Sequence, residues 1–404
     1  MSRGPAAITG VGAVTPLGDG AQTLYERWRD GVCGLEDGVG ACRDFDPSSM
    51  LSRKEARRTD RFVQFAMKAC QEAIDSAWGE DCPYEPERVA CVLGVSMGGS
   101  EIMFEEYLKL KEKGEKWVSP LTVPVTMPNA PPAILAMRHG FRGETHSIAS
   151  ACASSAQAIG VGLRMIRLDE ADAVVVGGTE ACLTEYILTL FRNAGALSRS
   201  GNCMPFDVKR DGFVMGEGAG ILILEQPEAA EKRGADVLGY LAGYGSSTDG
   251  HHLSAPDESG RFAANAMAGA LRDAGLKPED VSYVNAHGTS TQANDAAETV
   301  ALKLSLGECA KNIPVSSTKS VVGHSIGAAG GVEAVATLMA LRNRTAPPTV
   351  GLEQPDLEQG LDLNYVPGGP QAIESRNGNG NGRLVALSNS FAFGGHNATV
   401  AITT

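Results

Sequence analysis

Short apolar segments, bounded by Gly, Ser or charged residues, alternate along the chain with longer amphipathic or alanine-rich segments. Uninterrupted apolar runs of this length predict buried β-strands. They are AAITGVGAVT (6–15), VACVLGVS (89–96), ADAVVVGG (171–178), GILILE (220–225), VSYVNA (281–286) and RLVALSNS (383–390). The longer segments, 62–78, 153–168, 261–275 and 326–342, predict helices. This alternation predicts an α/β protein with largely parallel sheets.

The length of the chain, 404 residues, predicts two domains or one large double unit. The second half repeats the order of helix, strand, motif loop and helix, although no sequence repeat is strong enough to prove a duplication. Residues 225–250 have the composition of a junction, so we expect halves at 1–245 and 246–404. The segment SRNGNGNGR (375–383) predicts an exposed hairpin loop, because Asn-Gly steps favour tight turns.

Composition and charge exclude several classes of protein. Hydrophobic residues make up 43% of the chain and charged ones 21%, as in ordinary globular proteins. No apolar run approaches about 18 residues, and the N-terminus lacks the pattern of a signal peptide. We therefore expect a cytoplasmic protein that does not enter a membrane. The net charge of −13 argues against nucleic acid as a partner.

One basic run departs from this acidic balance. It consists of Arg53, Lys54, Arg57, Arg58 and Arg61, and it precedes an apolar stripe at helical spacing. A solvated helix face and a site for an anionic partner are both compatible with it.

Cys152 is the most informative of nine cysteines. The odd count and the absence of a CxxC pair argue against a disulfide framework or a zinc ribbon. In HSIASACASSAQAIGVGLRMIR (146–167), Cys152 stands where a strand-like run gives way to a predicted helix. The helix dipole and free N–H groups there favour a thiolate nucleophile. A cysteine before a helix is also an ordinary core residue, so position alone leaves both interpretations open.

Three further segments carry candidate chemistry. His287 lies in VNAHGTSTQANDAAET (284–299) and His324 in SSTKSVVGHSIGAAGGVEAV (316–335), both at predicted strand-to-helix turns, where sites in α/β folds are common. A glycine-rich turn in ALSNSFAFGGHNATV (386–400) could present backbone N–H groups as an oxyanion hole, or be a simple hairpin. No Walker A sequence and no HExxH occurs.

Together these segments resemble the elongating β-ketoacyl-[acyl carrier protein] synthases of type II fatty-acid synthesis and their type II polyketide relatives. The resemblance runs from ITGVGAVTPLG through FDVKRDGFVMGEGAG (206–220) to NSFAFGGHN. It implies the thiolase fold, a five-layered αβαβα core built from two similar halves and usually dimeric. It also implies a ketosynthase, an acyltransferase that joins a Cys-bound acyl chain to malonyl-acyl carrier protein by decarboxylative Claisen condensation.

The resemblance assigns roles to individual residues. The catalytic group consists of the nucleophile Cys152, the pair His287 and His324, the ordering pair Lys319 and Glu333, and the gating Phe393. Contacts with the phosphopantetheine arm fall to Thr289, Thr291, Ser254 and Phe213. Docking of the acidic carrier protein falls to Lys54, Arg57 and Arg58. No cofactor or metal is expected, because phosphopantetheine arrives on the carrier protein.

Departures from the family pattern leave the substrate open. They are Ala392 for Gly, His396 for Thr, Ser155 for Gly, and the pair Pro131-Pro132. They favour a polyketide or polyene pathway over housekeeping fatty-acid synthesis, without deciding it. The chain could form a homodimer, or be the catalytic subunit of a heterodimer with a chain-length factor.

Two rival classes are less favoured. A chain-length factor lacks the nucleophilic cysteine that Cys152 supplies. A thiolase needs a second catalytic cysteine in the C-terminal half, and none follows Cys309.

Overall fold

A computed structural model describes residues 4–376 and 382–404. Residues 377–381, the centre of the predicted hairpin loop at 375–383, therefore lie outside the described residues. Within the described ranges, no helix is both long enough and apolar enough to cross a membrane.

Eleven strands of the described residues form the main sheet: ten in a continuous order, five from each half of the chain, and the two-residue strand Gly18–Asp19, which pairs with the end of the first strand. The first half contributes β1 (Ala6–Thr15), β2 (Val89–Gly94), β3 (Thr145–Ile148), β4 (Ala173–Glu180) and β5 (Gly218–Glu225). The second half contributes β6 (Gly239–Thr248), β7 (Tyr283–Asn285), β8 (Val315–Ser316), β9 (Val385–Ala392) and β10 (His396–Thr403). The order across the sheet is β8-β7-β9-β10-β6-β1-β5-β4-β2-β3. All six predicted strands are confirmed.

The two halves use the same strand order and the same strand directions. In the first half β1, β5 and β4 are antiparallel neighbours, and β4, β2 and β3 are parallel. The corresponding strands of the second half pair identically: β6, β10 and β9 antiparallel, then β9, β7 and β8 parallel. This repetition shows the duplicated architecture that the sequence alone did not prove.

The prediction of largely parallel sheets is wrong, because the centre of the sheet is antiparallel. Strands β5 and β10 run against both of their neighbours. The error has a physical cause. A strand covered on both faces is apolar throughout whichever way its neighbours run, so its composition carries no information on direction.

The helices form three layers around two sheet halves. The longer ones are α1 (Ala21–Arg29), α3 (Arg61–Ala77), α4 (Ser100–Lys113), α6 (Ala130–His139), α7 (Ser154–Arg167), α8 (Glu185–Asn193), α10 (Arg261–Ala274), α11 (Gln292–Leu306) and α13 (Ala329–Arg342). The short ones are α2 (Arg53–Ala56), α5 (Thr122–Thr126), α9 (Pro227–Lys232) and α12 (Lys319–Val322). Helix α3 packs on β1 and β5, and α10 packs on β6 and β10. Helices α7 and α13 lie between the two sheet halves, which gives the predicted αβαβα order.

The central layer is tightly packed because small residues line it. Every residue of α13 except Arg342 is buried, as expected for a helix that is apolar on all sides. A Cβ on Gly330 would lie 2.9 Å from the backbone nitrogen of Ala156 in α7, so glycine permits the close approach of these two helices.

The sheet halves meet only where residues 6–8 of β1 pair with residues 239–241 of β6. The predicted boundary between residues 245 and 246 falls inside β6. The division of the chain into separate domains at that point stays a prediction.

Candidate active site

Cys152 lies in the turn between β3 and α7, two residues before the helix begins. The residue before it, Ala151, has a φ of +49°, a strained conformation for a residue with a side chain. The side chain of Cys152 is buried, and its Sγ is 3.0 Å from Nε2 of His324. The predicted position at a helix N-terminus is therefore confirmed, and a histidine lies within hydrogen-bonding distance.

Burial opposes the thiolate that the helix position is predicted to favour. Burial raises the pKa of the Cys152 thiol to about 12, although the Lys319 cation and the backbone N–H of Phe393 lower it. Loss of solvation outweighs these two contributions, because a charged sulfur has no water around it. The resting residue is a thiol that needs a base to become a nucleophile.

His287 is held in one tautomer by a buried ion pair. Lys319 and Glu333 form this pair, and both side chains are at most 2% exposed. The Lys319 ammonium lies 3.2 Å from Nδ1 of His287 and donates to it. Because Nδ1 accepts, the ring proton of His287 stays on Nε2. His324 differs, since its Nδ1 has no hydrogen-bond partner among the described residues.

Both imidazoles are neutral at physiological pH. Burial lowers the pKa of His287 and that of His324 well below the ordinary value, and the Lys319 cation lowers both further. The two rings lie 5.3 Å apart and nearly perpendicular. Two neutral histidines and a thiol thus share one buried site.

The same three side chains place their ligand atoms within 4.8 Å of one another, a spacing that a metal ion could bridge. Metal-bound histidines normally donate their second N–H to a carboxylate or carbonyl. The neighbour of His287 is instead an ammonium donor. A metal on Nε2 would push the ring proton towards that donor, so this surrounding does not suit a metal.

A largely apolar cavity of about 400 Å³ opens onto the cluster. Its wall includes Met97, Phe191, Ile326, Phe391 and Ala392. The predicted arm-binding residues Thr289, Thr291, Ser254 and Phe213 all border it, as does Phe393. The Thr289 and Thr291 hydroxyls are 2.9 Å apart, the Phe213 ring packs edge-on against His324, and Phe393 is 40% exposed.

Sequence reasoning missed Glu298, which anchors the His287 turn. Its carboxylate accepts the backbone N–H groups of His287 and Gly288 at 2.8 and 2.7 Å, and the Asn389 amide at 3.1 Å. Burial raises the pKa of Glu298 to about 7. The available signal was an acidic residue in an otherwise apolar stretch of the helix after the histidine.

The other predicted residues lie outside the cavity. Lys54, Arg57 and Arg58 are exposed on and after α2, and the two arginines border a separate cleft of about 610 Å³ that also carries acidic residues. His396 and the pair Pro131-Pro132 do not border the cavity. Ser155 is buried behind it.

The duplicated five-layer core is the thiolase fold, and comparisons with known proteins place the chain within it. The family model "Beta-ketoacyl synthase, N-terminal domain" matches residues 4–230, and the corresponding C-terminal model matches residues 238–353. The 3-oxoacyl-[acyl-carrier-protein] synthase 2 of Synechocystis sp. is 43% identical, over 98% of this chain and 96% of its own.

Solved structures agree. The ishigamide ketosynthase/chain length factor superposes with a TM-score of 0.90 at 28% identity, covering 100% of both chains. A type II PKS ketosynthase in complex with its acyl-carrier protein superposes with a TM-score of 0.88 at 27% identity, covering 99% of both. The chain belongs to the beta-ketoacyl synthase family, which confirms the predicted fold and the predicted class of acyltransferase.

Proposed function

We propose that the chain condenses an acyl group held on Cys152 with malonyl-acyl carrier protein and releases CO₂. The observation that carries this proposal is the 3.0 Å contact between Cys152 Sγ and His324 Nε2 at an apolar cavity, with His287 beside it. Such a cavity accommodates an acyl chain, and the polar cluster supplies the chemistry.

The first half-reaction is transfer of the acyl group to the sulfur. His324 takes the thiol proton as Cys152 Sγ attacks the incoming thioester carbonyl. The backbone N–H groups of Cys152 and Phe393, which lower the pKa of the Cys152 thiol, stabilise the oxyanion of the tetrahedral intermediate that forms there. The phosphopantetheine sulfur leaves and receives the proton from His324. Cys152 then carries the acyl group as a thioester, and His324 is uncharged again.

The second half-reaction needs two hydrogen-bond donors at the malonyl thioester carbonyl. His287 is a fixed donor, because Lys319 keeps its proton on Nε2. His324, whose Nδ1 is unpartnered among the described residues, can carry its proton on either nitrogen and so can accept in one step and donate in the next. The donors stabilise the enolate as CO₂ departs, and its carbon attacks the carbonyl of the Cys152 thioester. The bond from that carbonyl to Cys152 Sγ then breaks, the β-ketoacyl-carrier protein is released, and the Cys152 thiolate takes up one proton from solvent.

Substrate delivery supports the same function. The Thr289 and Thr291 hydroxyls and Ser254 border the cavity and are suited to the polar phosphopantetheine arm. Lys54, Arg57 and Arg58 are exposed and form no ion pair among the described residues, in a chain of net charge −13. We propose that they bind an acidic carrier protein, which brings the phosphopantetheine; no other cofactor is needed.

A dimer is proposed from the free edge of the sheet. Strand β3 is the last strand of the sheet, and among the described residues it pairs with β2 alone. Ten of the nineteen exposed large apolar side chains in the described ranges lie between Met97 and Met137, in the segment that leads into β3. Apolar area of this extent marks an interaction surface.

The second subunit is either a second copy of this chain or a chain-length factor. The Synechocystis relative favours a fatty-acid enzyme, for which we propose a homodimer. The match to a ketosynthase/chain length factor favours a polyketide heterodimer, in which this chain would be the catalytic subunit because it has Cys152. Chain lengths formed from acyl- and malonyl-carrier protein, measured by mass spectrometry with and without a cysteine-less homologous subunit, decide between them. A cytoplasmic location stays a prediction.

The function is tested by the Cys152→Ala variant. Acyl-enzyme should accumulate on the wild type incubated with acyl-carrier protein and should be absent from the variant, as measured by intact-protein mass spectrometry. Cys70→Ala is the matched control, because Cys70 is equally buried and its thiol pKa is likewise raised to about 12. Loading of Cys152→Ala, or loss of loading in Cys70→Ala, would contradict the assignment.

A further inference from the structure

Two buried side chains outside the catalytic cluster hold Gly327 from opposite sides. The Ser155 hydroxyl, one turn after the nucleophile, donates to the Gly327 carbonyl. The Glu180 carboxylate accepts the Gly327 backbone N–H at 3.3 Å. Ser155 and Glu180 are both 0% exposed, so neither contact is exchanged for water.

Glu180 also reaches the other wall of the acyl cavity. Its carboxylate accepts the backbone N–H groups of Ser96 at 2.8 Å and Met97 at 3.2 Å, and both residues border the cavity. It has no cationic partner among the described residues. One carboxylate therefore connects the Met97 wall to the Gly327 turn.

The Gly327 turn carries Ile326, which forms part of the cavity beside Cys152. Ile326 has a φ of +44°, a conformation that a β-branched residue adopts only when its surroundings enforce it. Its side chain is buried in a cluster with Cys152 and Phe213. The bonds from Ser155 and Glu180 hold both backbone groups of the next residue, Gly327.

The space around Ser155 is fully used. A Cβ on Gly178 would lie 2.0 Å from the Ser155 hydroxyl oxygen, and one on Gly94 would lie 2.2 Å from the Ser155 backbone nitrogen. The hydroxyl thus occupies a defined place between the nucleophile helix and the His324 turn, two elements that are 172 residues apart in sequence.

We propose that Ser155 and Glu180 are positioning residues that fix Ile326 and thereby set which acyl chains Cys152 accepts. The inference rests on the proposed function, since it concerns the acyl chain delivered to that sulfur. Neither side chain borders the cavity, so both act through the turn they hold.

The test measures kcat/KM for loading of Cys152 from butyryl- and palmitoyl-carrier protein in Ser155→Ala and Glu180→Gln. Each variant should change the ratio of the two values by about tenfold, the scale at which one methylene is discriminated in an apolar pocket. Rates are normalised to folded protein determined by circular dichroism. Thr9→Val is the matched control, because Thr9 also loses a buried hydroxyl hydrogen bond, to Glu225 in the first-half sheet, and should keep the wild-type ratio.

A double-mutant cycle separates positioning from general destabilisation. If Ser155 acts through Ile326, the ratio of Ser155→Ala/Ile326→Ala should equal that of Ile326→Ala alone. The proposal would be overturned if the effects of Ser155→Ala and Ile326→Ala on this ratio were additive. It would also be overturned if the ratio in both Ser155→Ala and Glu180→Gln stayed within about twofold of the wild-type ratio. Failure of the wild type to load any acyl group would instead contradict the proposed function.

Discussion

At the scale of single residues, the site works by removing water from groups that would otherwise be charged. Burial is the largest cause of the raised pKa of Cys152 and of the lowered pKa of His287 and His324. The proton therefore rests on sulfur, and both imidazoles are uncharged. Lys319 reinforces this state at the histidines, because a second positive charge beside the ammonium is unfavourable.

The role of this cation predicts a pH effect. In Lys319→Met/Glu333→Gln the pKa of both histidines should rise towards its ordinary value. They would then become protonated at a higher pH as the solution is acidified, so the acid limb of malonyl-carrier protein decarboxylation should move to higher pH. The rate at the optimum should fall by about 10–100-fold, because His287 loses the donor that fixes its tautomer.

The control for this experiment is Glu333→Gln alone. It keeps the cation and removes its counter-charge, so the acid limb should stay in place or move to lower pH. The role given to Lys319 would be contradicted if the acid limb of the pH profile moved to higher pH in both variants, or in neither. The measurement is the pH profile of kcat/KM, followed as CO₂ release.

The members of the candidate site could be predicted because each combines a reactive side chain with a strand-to-helix turn. Cys152, His287 and His324 all meet that description. Glu298 and Glu180 could not be found in this way, because their function depends on which backbone N–H groups surround them. Ser155 was noticed as a departure from the family pattern, but its partner Gly327 lies 172 residues away, and no local pattern connects the two.

At the scale of elements, the edge strand β3 has some main-chain groups that bond to β2 and others that face away from the sheet. The Glu144 and Ile148 carbonyls accept backbone N–H groups of Cys91 and Val95, so alternate residues of this parallel strand bond to β2. The residues between them, Thr145 and Ser147, turn their N–H and C=O groups away from the sheet. Such an edge can pair with a second strand.

This geometry predicts that Ser147→Pro weakens the dimer. Proline removes the outward N–H of Ser147 without removing a bond to β2. The dissociation constant should rise at least about tenfold, since two symmetry-related hydrogen bonds are lost. Ser147→Ala is the matched control: it loses the same side-chain bond to the Pro128 carbonyl but keeps the N–H. Equal dissociation of both variants in analytical ultracentrifugation would contradict pairing through β3.

The existence of the strands could be predicted from the sequence, but their directions could not. All six apolar runs form strands. Strand β5, with the sequence GAGILILE, is as uniformly apolar as a parallel strand because α3 covers one face and α13 the other. Burial on both faces, and not direction, determines that composition.

At the scale of the whole molecule, charge is distributed unevenly. The chain carries a net −13, yet Lys54, Arg57 and Arg58 are adjacent, exposed and free of ion pairs within the described part of the chain. Exposed cations without a carboxylate partner on an acidic protein direct a negative partner to one place.

Reversal of these three charges to Glu should raise the KM for malonyl-carrier protein roughly tenfold, or ~1.4 kcal/mol, and spare small thioester analogues. The difference in KM for malonyl-carrier protein between the wild type and this variant should decrease as salt is added, because exposed charges are screened. Lys232, Arg272 and Lys311, exposed on other elements, provide a control triple reversal with the same change in net charge. An equal rise in KM for carrier protein and for small analogues would contradict docking at α2.

The central position of β1 has a consequence for how the protein is made. Residues 6–8 are synthesised more than 200 residues before their partners, residues 224–225 of β5 and 239–241 of β6. At about 5–20 residues per second, roughly ten to forty seconds separate the first strand from its partners. Throughout that interval a ten-residue apolar segment leaves the ribosome without its sheet. The nascent chain should therefore depend on chaperones, and substitutions that make β1 more polar should increase the yield of soluble intermediates while they destabilise the finished fold.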